Sequence, residues 1–221
     1  MSDLLAHEGL LRVFGEAQRV GALGPVSPTG VISHSLAFVD AIPTSARTIA
    51  DLGSGAGVPG LVVAVARPEL RVVLVDRRAK RTDFLHRAVH GLGLADRVSV
   101  ETGDAAVLGQ TNYHRAMDAV TCRGFGSPET TISLSTPWVR SGGMVIVSEP
   151  PADHGNRWSR IDLAASHTSQ PARVGQVAVF HVDDGGPGVA DADLPRLFER
   201  FVGLDAKHLF GQIHESLRAE A

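Results

Sequence analysis

The stretch Ile49-Ala-Asp-Leu-Gly-Ser-Gly-Ala-Gly-Val-Pro-Gly60 decides the fold. It begins as an apolar strand and ends in a turn that contains four glycines, Gly53, Gly55, Gly57 and Gly60. A loop that leaves a strand sharply, and lets its backbone N–H groups approach a ligand, has no room for side chains at such positions. The apolar segment 58–67 follows and ends before Pro68, which predicts a short buried helix whose N-terminus faces the ligand. The pattern therefore predicts a loop that binds a nucleotide cofactor.

Two classes of cofactor are bound by such a loop. Residues 55–60 fit the dinucleotide pattern G-x-G-x-x-G, and Asp76 ends the next strand, where an acid would bind the ribose. Asp51 and the three glycines that follow it also fit D-x-G-x-G-x-G, the loop of class I S-adenosylmethionine-dependent methyltransferases. A carboxylate at this point would repel a pyrophosphate, whereas Asp51 can help to hold the ammonium group of S-adenosylmethionine. The sequence therefore favours S-adenosylmethionine and leaves an oxidoreductase as the weaker alternative.

The composition is that of an ordinary globular protein, with 221 residues and a net charge of -3. This length suffices for one well-buried α/β domain with appendages. No stretch approaches the roughly 20 consecutive apolar residues of a membrane span, and the N-terminal segment has no signal-peptide core, so a cytoplasmic location is expected. The only cysteine, Cys122, excludes a disulfide within the chain and a cysteine-cluster metal site. Because the net charge is slightly negative, any nucleic acid would have to bind a local basic patch.

The chain divides into a helical cap, an alternating domain and a tail. Residues 1–47 predict two helices, over about 3–20 and 31–41. Residues 48–182 alternate strands with helices, which predicts a parallel sheet with right-handed crossovers. The predicted strands are 48–52, 71–75, 98–101, 117–121 and 144–148, and the predicted helices are 58–67, 79–92 and 128–139. Residues 183–221 are expected to form a helical C-terminal tail.

Charged residues follow the predicted strands, where ligands of such sheets bind. They are Asp51, Asp76, Asp104 and Arg123. Asp104 has two equally favoured roles, because it can accept a hydrogen bond from the adenine amino group or cap the next turn. His86 and His90 are four residues apart, but their spacing identifies no third ligand, so no metal site is predicted.

Three further segments carry a resemblance to a known family. They are Arg78-Ala-Lys-Arg-Thr-Asp-Phe-Leu85, Thr121-Cys-Arg-Gly-Phe-Gly-Ser127 and Ser141-Gly-Gly143. Together with the loop at 51–60 they cover about half the chain. They resemble the bacterial glucose-inhibited division protein B family, also called ribosomal small subunit methyltransferase G. Pro59 and the Thr-x-Arg end of the fourth strand are the most discriminating parts of the resemblance.

The resemblance implies a class I methyltransferase fold. This is an α/β, Rossmann-like, doubly wound and mostly parallel seven-stranded sheet with a small N-terminal helical cap. The resemblance also implies S-adenosylmethionine as the methyl donor and N7 of a guanine in small-subunit (16S) ribosomal RNA as the acceptor. Guanine N7 offers an in-plane lone pair and no proton, so the transfer needs positioning and no general base. A monomer without a metal is expected.

The expected site residues follow from the same resemblance. The cofactor-binding residues are Asp51, Gly53, Ser54, Gly55, Gly57, Asp76, Arg77, Asp104 and Ala105. Arg123 is expected to be catalytic and to line the guanine pocket. The alternative for Arg123 is an ion pair with Asp104 or Asp118 at the end of the strand.

Two segments depart from the family pattern. The family usually has His-Ile-x-Asp-Ser-Leu before the cofactor loop, where this chain has Ile32-Ser-His-Ser-Leu36. After the fifth strand the family usually has Lys-Gly, where this chain has Glu149-Pro150, and a carboxylate there is expected to repel RNA. Two alternatives therefore stay open. One is a diverged methyltransferase acting on another RNA or on a small molecule, and the other is a catalytically degenerate regulatory or binding protein.

The tail carries a second resemblance. Residues 177–201 look like the adjoining glycine and phenylalanine boxes of sensor histidine-kinase ATPase domains, in which Asp183 or Asp184 would meet adenine. No second Gly-rich phosphate loop follows in the sequence, so kinase activity is not expected. The favoured interpretation makes 177–182 the last, antiparallel strand of the sheet and 194–201 a terminal helix.

Overall fold

The computed structural model describes residues 2–150, 157–158, 163 and 166–183. The helices are α1 (Ser2–Leu5), α2 (Glu8–Arg19), α3 (Pro28–Ala41), α4 (Gly60–Ala66), α5 (Ala79–Gly91), α6 (Ala105–Leu108) and α7 (Pro128–Ser135). The strands are β1 (Thr48–Leu52), β2 (Arg71–Asp76), β3 (Val98–Thr102), β4 (Met117–Cys122), β5 (Val139–Ser148), β6 (Ala172–Val174) and β7 (Val177–His181). Within these residues, every helix is too short or too polar to cross a membrane.

The N-terminal helices form where apolar residues recur at helical spacing and polar residues cap the first turn. Leu10 and Phe14 of α2 are fully buried, and the ring of His7 accepts a hydrogen bond from the N–H of Leu10. The third helix begins at Pro28, earlier than predicted, because Ser27 caps it and proline suits a first helical turn. This helix contacts both α2 and α4, so it joins the helical cap to the sheet domain.

The seven strands form one sheet in the order β3-β2-β1-β4-β5-β7-β6. The strands from β1 to β5 pair in parallel, and β7 runs antiparallel between β5 and β6. The predictions of a doubly wound, mostly parallel sheet and of an antiparallel strand beginning at Val177 are confirmed. Because the strand order reverses between β1 and β4, their carboxyl ends form the point at which such sheets bind ligands, and Asp51 lies there beside Thr121.

Apolar side chains cover both faces of the sheet. Alternate strand residues point to opposite faces, so Ile49 joins one core cluster and Ala50 joins the other. The cluster around Ile49 includes Phe14 of α2, and the cluster around Ala50 includes Trp138 after α7. Burial on both faces fixes the register of the central strands, and it therefore fixes which residues emerge at their carboxyl ends.

The segment after α7 differs from the predicted helix over 128–139. A 3₁₀ turn covers Thr136–Trp138, and β5 begins directly after it at Val139. Pro137 lacks the N–H donor that a continuing helix needs. The helix therefore ends at Ser135, four residues before its predicted end, and β5 begins at Val139, five residues before its predicted start.

A bulge explains Gly143 in this first part of β5. The pairing of β4 with β5 shifts register between Met117 and Ala119. A Cβ on Gly143 would lie 2.6 Å from the carbonyl oxygen of Asp118, so only glycine permits this approach of the two strands. The strand β6 falls in a polar segment for which no strand was predicted. The predictions for Asp184, for a helix over 194–201 and for a helical tail beyond 183 lie outside the described residues.

Candidate cofactor and acceptor site

A cleft of about 310 Å³ opens at the carboxyl ends of β1 to β4. This volume lies within the range typical of small-molecule sites. Five of the predicted cofactor residues line it: Gly53, Asp76, Arg77, Asp104 and Ala105. The structure therefore brings residues from three strand ends into one cleft, as the alternating pattern predicted.

Asp76 joins the glycine loop to the end of β2. Its carboxylate is almost fully buried and accepts hydrogen bonds from the N–H of Gly55 at 3.1 Å and the N–H of Arg78 at 2.9 Å. Nε of Arg78 also lies 3.5 Å from Oδ1. An ionised carboxylate has about four acceptor positions, so these three contacts leave capacity for a ligand hydroxyl. Asp76 thus holds the glycine loop through the N–H of Gly55 and also lines the cleft.

Gly53 lies directly against the aromatic ring of Phe125. Its φ is +70°, and a Cβ placed on it would lie 2.7 Å from Cδ2 of Phe125. Any larger residue would therefore be strained and would displace the ring. Phe125 itself lines the cleft, so the loop after β1 and the loop after β4 face each other across it.

Asp51 lies beneath the loop and not at its surface. It is fully buried, and its carboxylate accepts from the N–H of Gly60 at 3.1 Å and from the Thr121 hydroxyl at 2.8 Å. Burial raises the pKa of Asp51 to about 6, against the opposing effects of these bonds and of the charge of Arg123. The structure thus gives Asp51 an internal role in holding the loop. Both of its carboxylate oxygens bond within the protein, whereas the prediction had Asp51 facing an ammonium group.

Two other predicted cofactor residues also lie inside the protein. The Ser54 hydroxyl donates to the carbonyl oxygen of Asp51 at 2.7 Å and accepts from the N–H of Val75 at 3.0 Å. A Cβ on Gly57 would clash with Leu61 of α4 and would lie 3.2 Å from Leu85 of α5. Neither Ser54 nor Gly57 lines the cleft. Their positions indicate packing of the loop onto β2 and α5.

Asp104 and Ala105 form the wall opposite the loop. Oδ1 of Asp104 accepts from the N–H of Ala106 at 2.8 Å, so Asp104 caps α6 while its exposed carboxylate also lines the cleft. The carbonyl oxygen of Ala105 accepts from Nε1 of Trp138 at 2.9 Å, and this ring stacks on Tyr113 at 5.0 Å between centroids. A buried aromatic pair therefore fixes the position of this wall.

Arg123 stands at the end of β4, beside the cleft and not among the residues that line it. Partial burial lowers the pKa of Arg123, while the charge of Asp51 opposes that effect. The predicted alternative of an ion pair was wrong, since Asp118 pairs with Arg140 at 2.6 Å and Asp104 caps α6. The half-buried guanidinium of Arg123 thus lies within reach of the charge of Asp51 beneath the loop.

Glu149 corrects a second expectation, because its carboxylate is not directed at solvent. Only 6% of its side chain is exposed, and Oε1 accepts from Nε of Arg157 at 3.0 Å and from Nε1 of Trp158 at 2.7 Å. Arg173 lies 3.9 Å from the other oxygen. The negative charge is thus compensated within the protein, and the expected repulsion of RNA does not follow from this residue.

Several cleft residues were missed by sequence reasoning. They are Val75, Arg78, Gly103, Gly124, Phe125, Thr130 and Leu134. Gly124 and Phe125 belong to the segment that supplied Arg123, so an aromatic residue just past a strand end was the available signal. Thr130 and Leu134 lie on α7, whose approach to the cleft no local pattern indicates.

The chemistry of the site is that of positioning and charge. Burial raises the pKa of the Cys122 thiol to about 12, so it is no nucleophile near neutral pH. Among the described residues, no three His, Cys, Asp or Glu side chains are grouped in a way that would hold a metal ion. The arrangement suits a reaction in which the acceptor atom is itself the nucleophile.

Comparison with known proteins identifies related sequences. A family model described as rRNA small subunit methyltransferase G matches residues 29–154. The ribosomal RNA small subunit methyltransferase G of Sorangium cellulosum is 42% identical over 112 residues, which are 51% of this chain and 46% of that protein. The protein of the same name from Salinispora arenicola is 36% identical over 194 residues, which are 85% of this chain and 76% of that protein. Against several curated relatives of this name the chain spans only about half of their length.

A solved structure supports the fold. The S-adenosylmethionine-dependent methyltransferase SibL in its apo form superposes with a TM-score of 0.54 and 20% sequence identity. The match covers 68% of this chain and 55% of that chain. At this identity the likeness concerns the fold alone.

Proposed function

Because the chain belongs to the rRNA small subunit methyltransferase G family, we propose that it transfers a methyl group from S-adenosylmethionine to N7 of a guanine in small-subunit ribosomal RNA. The observation that carries the proposal is the cleft, in which Gly53, Asp76 and Asp104 meet beside Arg123. An RNA substrate of this kind would place the activity in the cytoplasm.

The residues of the cleft suit the proposed cofactor. The buried carboxylate of Asp76 would accept hydrogen bonds from the ribose hydroxyls, and Asp104 with Ala105 would bind the adenine. Gly53 allows Phe125 to lie against the loop, because a Cβ there would be 2.7 Å from the ring. S-adenosylmethionine, when bound, would supply an electrophilic methyl group. The buried charge of Asp51 lies behind the loop, where it favours a cationic ligand.

Arg123 would orient the acceptor base. Arginine donates well to guanine O6, and a bond to O6 would hold the base while leaving the N7 lone pair free to attack. Methyl transfer moves positive charge onto the purine, and the Asp51 carboxylate offsets the charge of Arg123 next to it. The residues of this chain thus supply position and charge balance, and the reaction requires no general base.

Two observations weigh against the alternatives. The sheet order, with antiparallel β7 between β5 and β6, differs from the 3-2-1-4-5-6 order of dinucleotide-binding folds and disfavours an oxidoreductase. The segment 177–181, where the kinase-like resemblance begins, is a strand of this sheet. A separate regulatory module would have to begin after it.

Calorimetric titration with S-adenosylmethionine and with NAD tests the cofactor. We expect the purified protein to bind the methyl donor alone, and we expect Asp76→Ala to weaken that binding by about ten-fold or more, the effect of losing one or two hydrogen bonds to a charged group. Asp96→Ala, in an exposed turn, is the matched control and should bind like the parent. Binding of NAD, or binding unaffected by Asp76→Ala, would contradict the cofactor site.

Transfer of a labelled methyl group to small ribosomal subunits tests the acceptor. Subunits from cells that lack this modification should accept label, and reductive cleavage of the RNA chain at 7-methylguanine should locate it at one nucleotide. Binding of S-adenosylmethionine without any transfer to the subunits would separate the cofactor from the substrate and would favour a different acceptor.

A further inference from the structure

We propose that Arg157 and Arg173, held in place by Glu149, form a binding site for a phosphate group of the RNA substrate. The inference rests on the proposed function and adds to it a contact outside the cofactor cleft. The two side chains are called the arginine pair below.

The first support is the way in which Glu149 fixes Arg157. The Nε of Arg157 donates to Glu149 at 3.0 Å, and one terminal nitrogen donates to the carbonyl oxygen of Ser148 at 2.6 Å. The guanidinium also lies 4.4 Å from the ring centre of Trp158, which is buried against Phe180. Arg157 is therefore held on three sides, so little conformational entropy remains to be lost when an anion binds.

Arg173 is held in a similar way from the edge strand. Its Nε donates to the carbonyl oxygen of Gly175 at 3.2 Å, and a terminal nitrogen donates to that of Pro150 at 2.8 Å. The other terminal nitrogen is 3.9 Å from Glu149. The same carboxylate thus lies next to both arginines and brings them together.

The second support is the distribution of charge and exposure. The side chains of Arg173 and Arg157 are 41% and 29% exposed, whereas that of Glu149 is 6% exposed. Among the described residues of this cluster, two positive side chains therefore surround one negative side chain, and the negative side chain is the one that is covered. These three described side chains together carry a net positive charge, and guanidinium groups match the geometry and charge of phosphate.

The third support is the location of the pair in the sheet. Because β4 and β5 are parallel, Arg123 and Glu149 both follow strand ends on the carboxyl side of the sheet. The backbone N–H of Glu149 donates to the carbonyl oxygen of Gln176, and the Gln176 side chain is 2.7 Å from the ring of His34. The arginine pair thus lies on the same side of the sheet as Arg123, the residue proposed to orient the guanine. A phosphate near the target nucleotide is the anion that this position fits.

The experiment measures binding of the full chain to purified small ribosomal subunits at KCl concentrations from 50 to 200 mM. Each phosphate contact contributes about 0.7 to 0.9 to the slope of log affinity against log salt. We expect Arg173→Gln to lower the magnitude of this slope by about that amount and to weaken binding about five-fold at 100 mM KCl. Arg173→Lys, which keeps the charge, should retain most of the slope.

Arg12→Gln is the matched control, because Arg12 is exposed on α2 and the substitution removes the same charge. The control should bind the subunits like the parent, and all three variants should bind S-adenosylmethionine like the parent. If Arg173→Gln and the parent have equal slopes, the phosphate site is wrong while the proposed function stands. If the parent binds S-adenosylmethionine but no subunits, the proposed RNA substrate fails and the phosphate site fails with it.

Discussion

The carboxylate of Asp51 accepts a hydrogen bond from the backbone N–H of Gly60 at 3.1 Å, and this bond fastens the start of α4 to the end of β1. The glycine loop lies between these two residues, so its ends are fixed from inside the protein. The loop is thereby preorganised for a ligand, although the residue that fixes it is itself covered.

The buried carboxylate predicts an inverse dependence of stability on pH. The pKa of Asp51 is raised from 3.8 to about 6, so the folded protein keeps a proton that the unfolded chain releases. Stability from this residue is therefore present below about pH 4, falls as the pH rises to about 6 and then stays constant. The expected loss is about 3 kcal/mol.

Asp51→Asn isolates this effect, because the amide can accept from Gly60 and donate to the Thr121 hydroxyl. Urea unfolding of both proteins at several pH values gives the difference in free energy of unfolding. We expect the parent to lose stability relative to Asp51→Asn between pH 4 and pH 6. A difference that does not change with pH would mean that the carboxylate titrates normally.

A pair of glycine substitutions tests the packing under the loop. A Cβ on Gly60 would lie 2.7 Å from Oδ2 of Asp51 and closer still to Leu74, so Gly60→Ala should lower the free energy of unfolding by about 1 to 3 kcal/mol. Gly91, at the end of α5, has nothing within 4 Å of its hypothetical Cβ. Gly91→Ala should be neutral or stabilising by up to about 1 kcal/mol. Equal effects in thermal or urea unfolding would disprove the predicted crowding at Gly60.

Arg123 should matter for the acceptor and not for the cofactor. Removing a charged hydrogen-bond donor costs about 1.5 to 3 kcal/mol, so Arg123→Gln should lower methyl transfer to small subunits about ten- to hundred-fold. Calorimetry should find the affinity for S-adenosylmethionine unchanged within about two-fold, because Arg123 does not line the cleft. A large loss of cofactor affinity would instead assign Arg123 to the cofactor site.

Restoring the usual family residue at position 149 should be harmful here. Glu149→Lys would place an ammonium between Arg157 and Arg173 in a buried position, so we expect the free energy of unfolding to fall by about 3 to 5 kcal/mol. Glu129→Lys, at an exposed position in the first turn of α7, should cost about 1 kcal/mol or less. Chemical denaturation of the two variants makes the comparison, and equal stabilities would show that the charges around Glu149 are not coupled.

Most of the sheet could be predicted from the sequence because buried parallel strands are short apolar runs that end in glycine or charge. The end of β1, Gly53 and Asp76 were located in this way. The burial of Asp51 was missed, since a pattern of residue types does not tell which side of a loop a side chain takes. The partners of Glu149 were missed for a different reason. Arg157 lies between β5 and β6 in the sequence, where no local pattern indicates a contact with Glu149. Arg173 lies on the edge strand β6, which reaches β5 only because β7 pairs antiparallel with both strands.

The place of β7 in the sheet has a consequence for synthesis on the ribosome. The edge of β5 is covered by residues 177–181, which lie about thirty residues further along the chain. These residues therefore leave the exit tunnel later than β5 does. Until then the hydrogen-bonding groups along that edge of β5 stay unpaired, in a strand that contains apolar residues such as Val145 and Val147. An open strand edge of this kind is a template for aggregation. Chains that terminate before residue 177 should therefore be captured by chaperones or degraded, while chains that reach residue 181 can close the sheet.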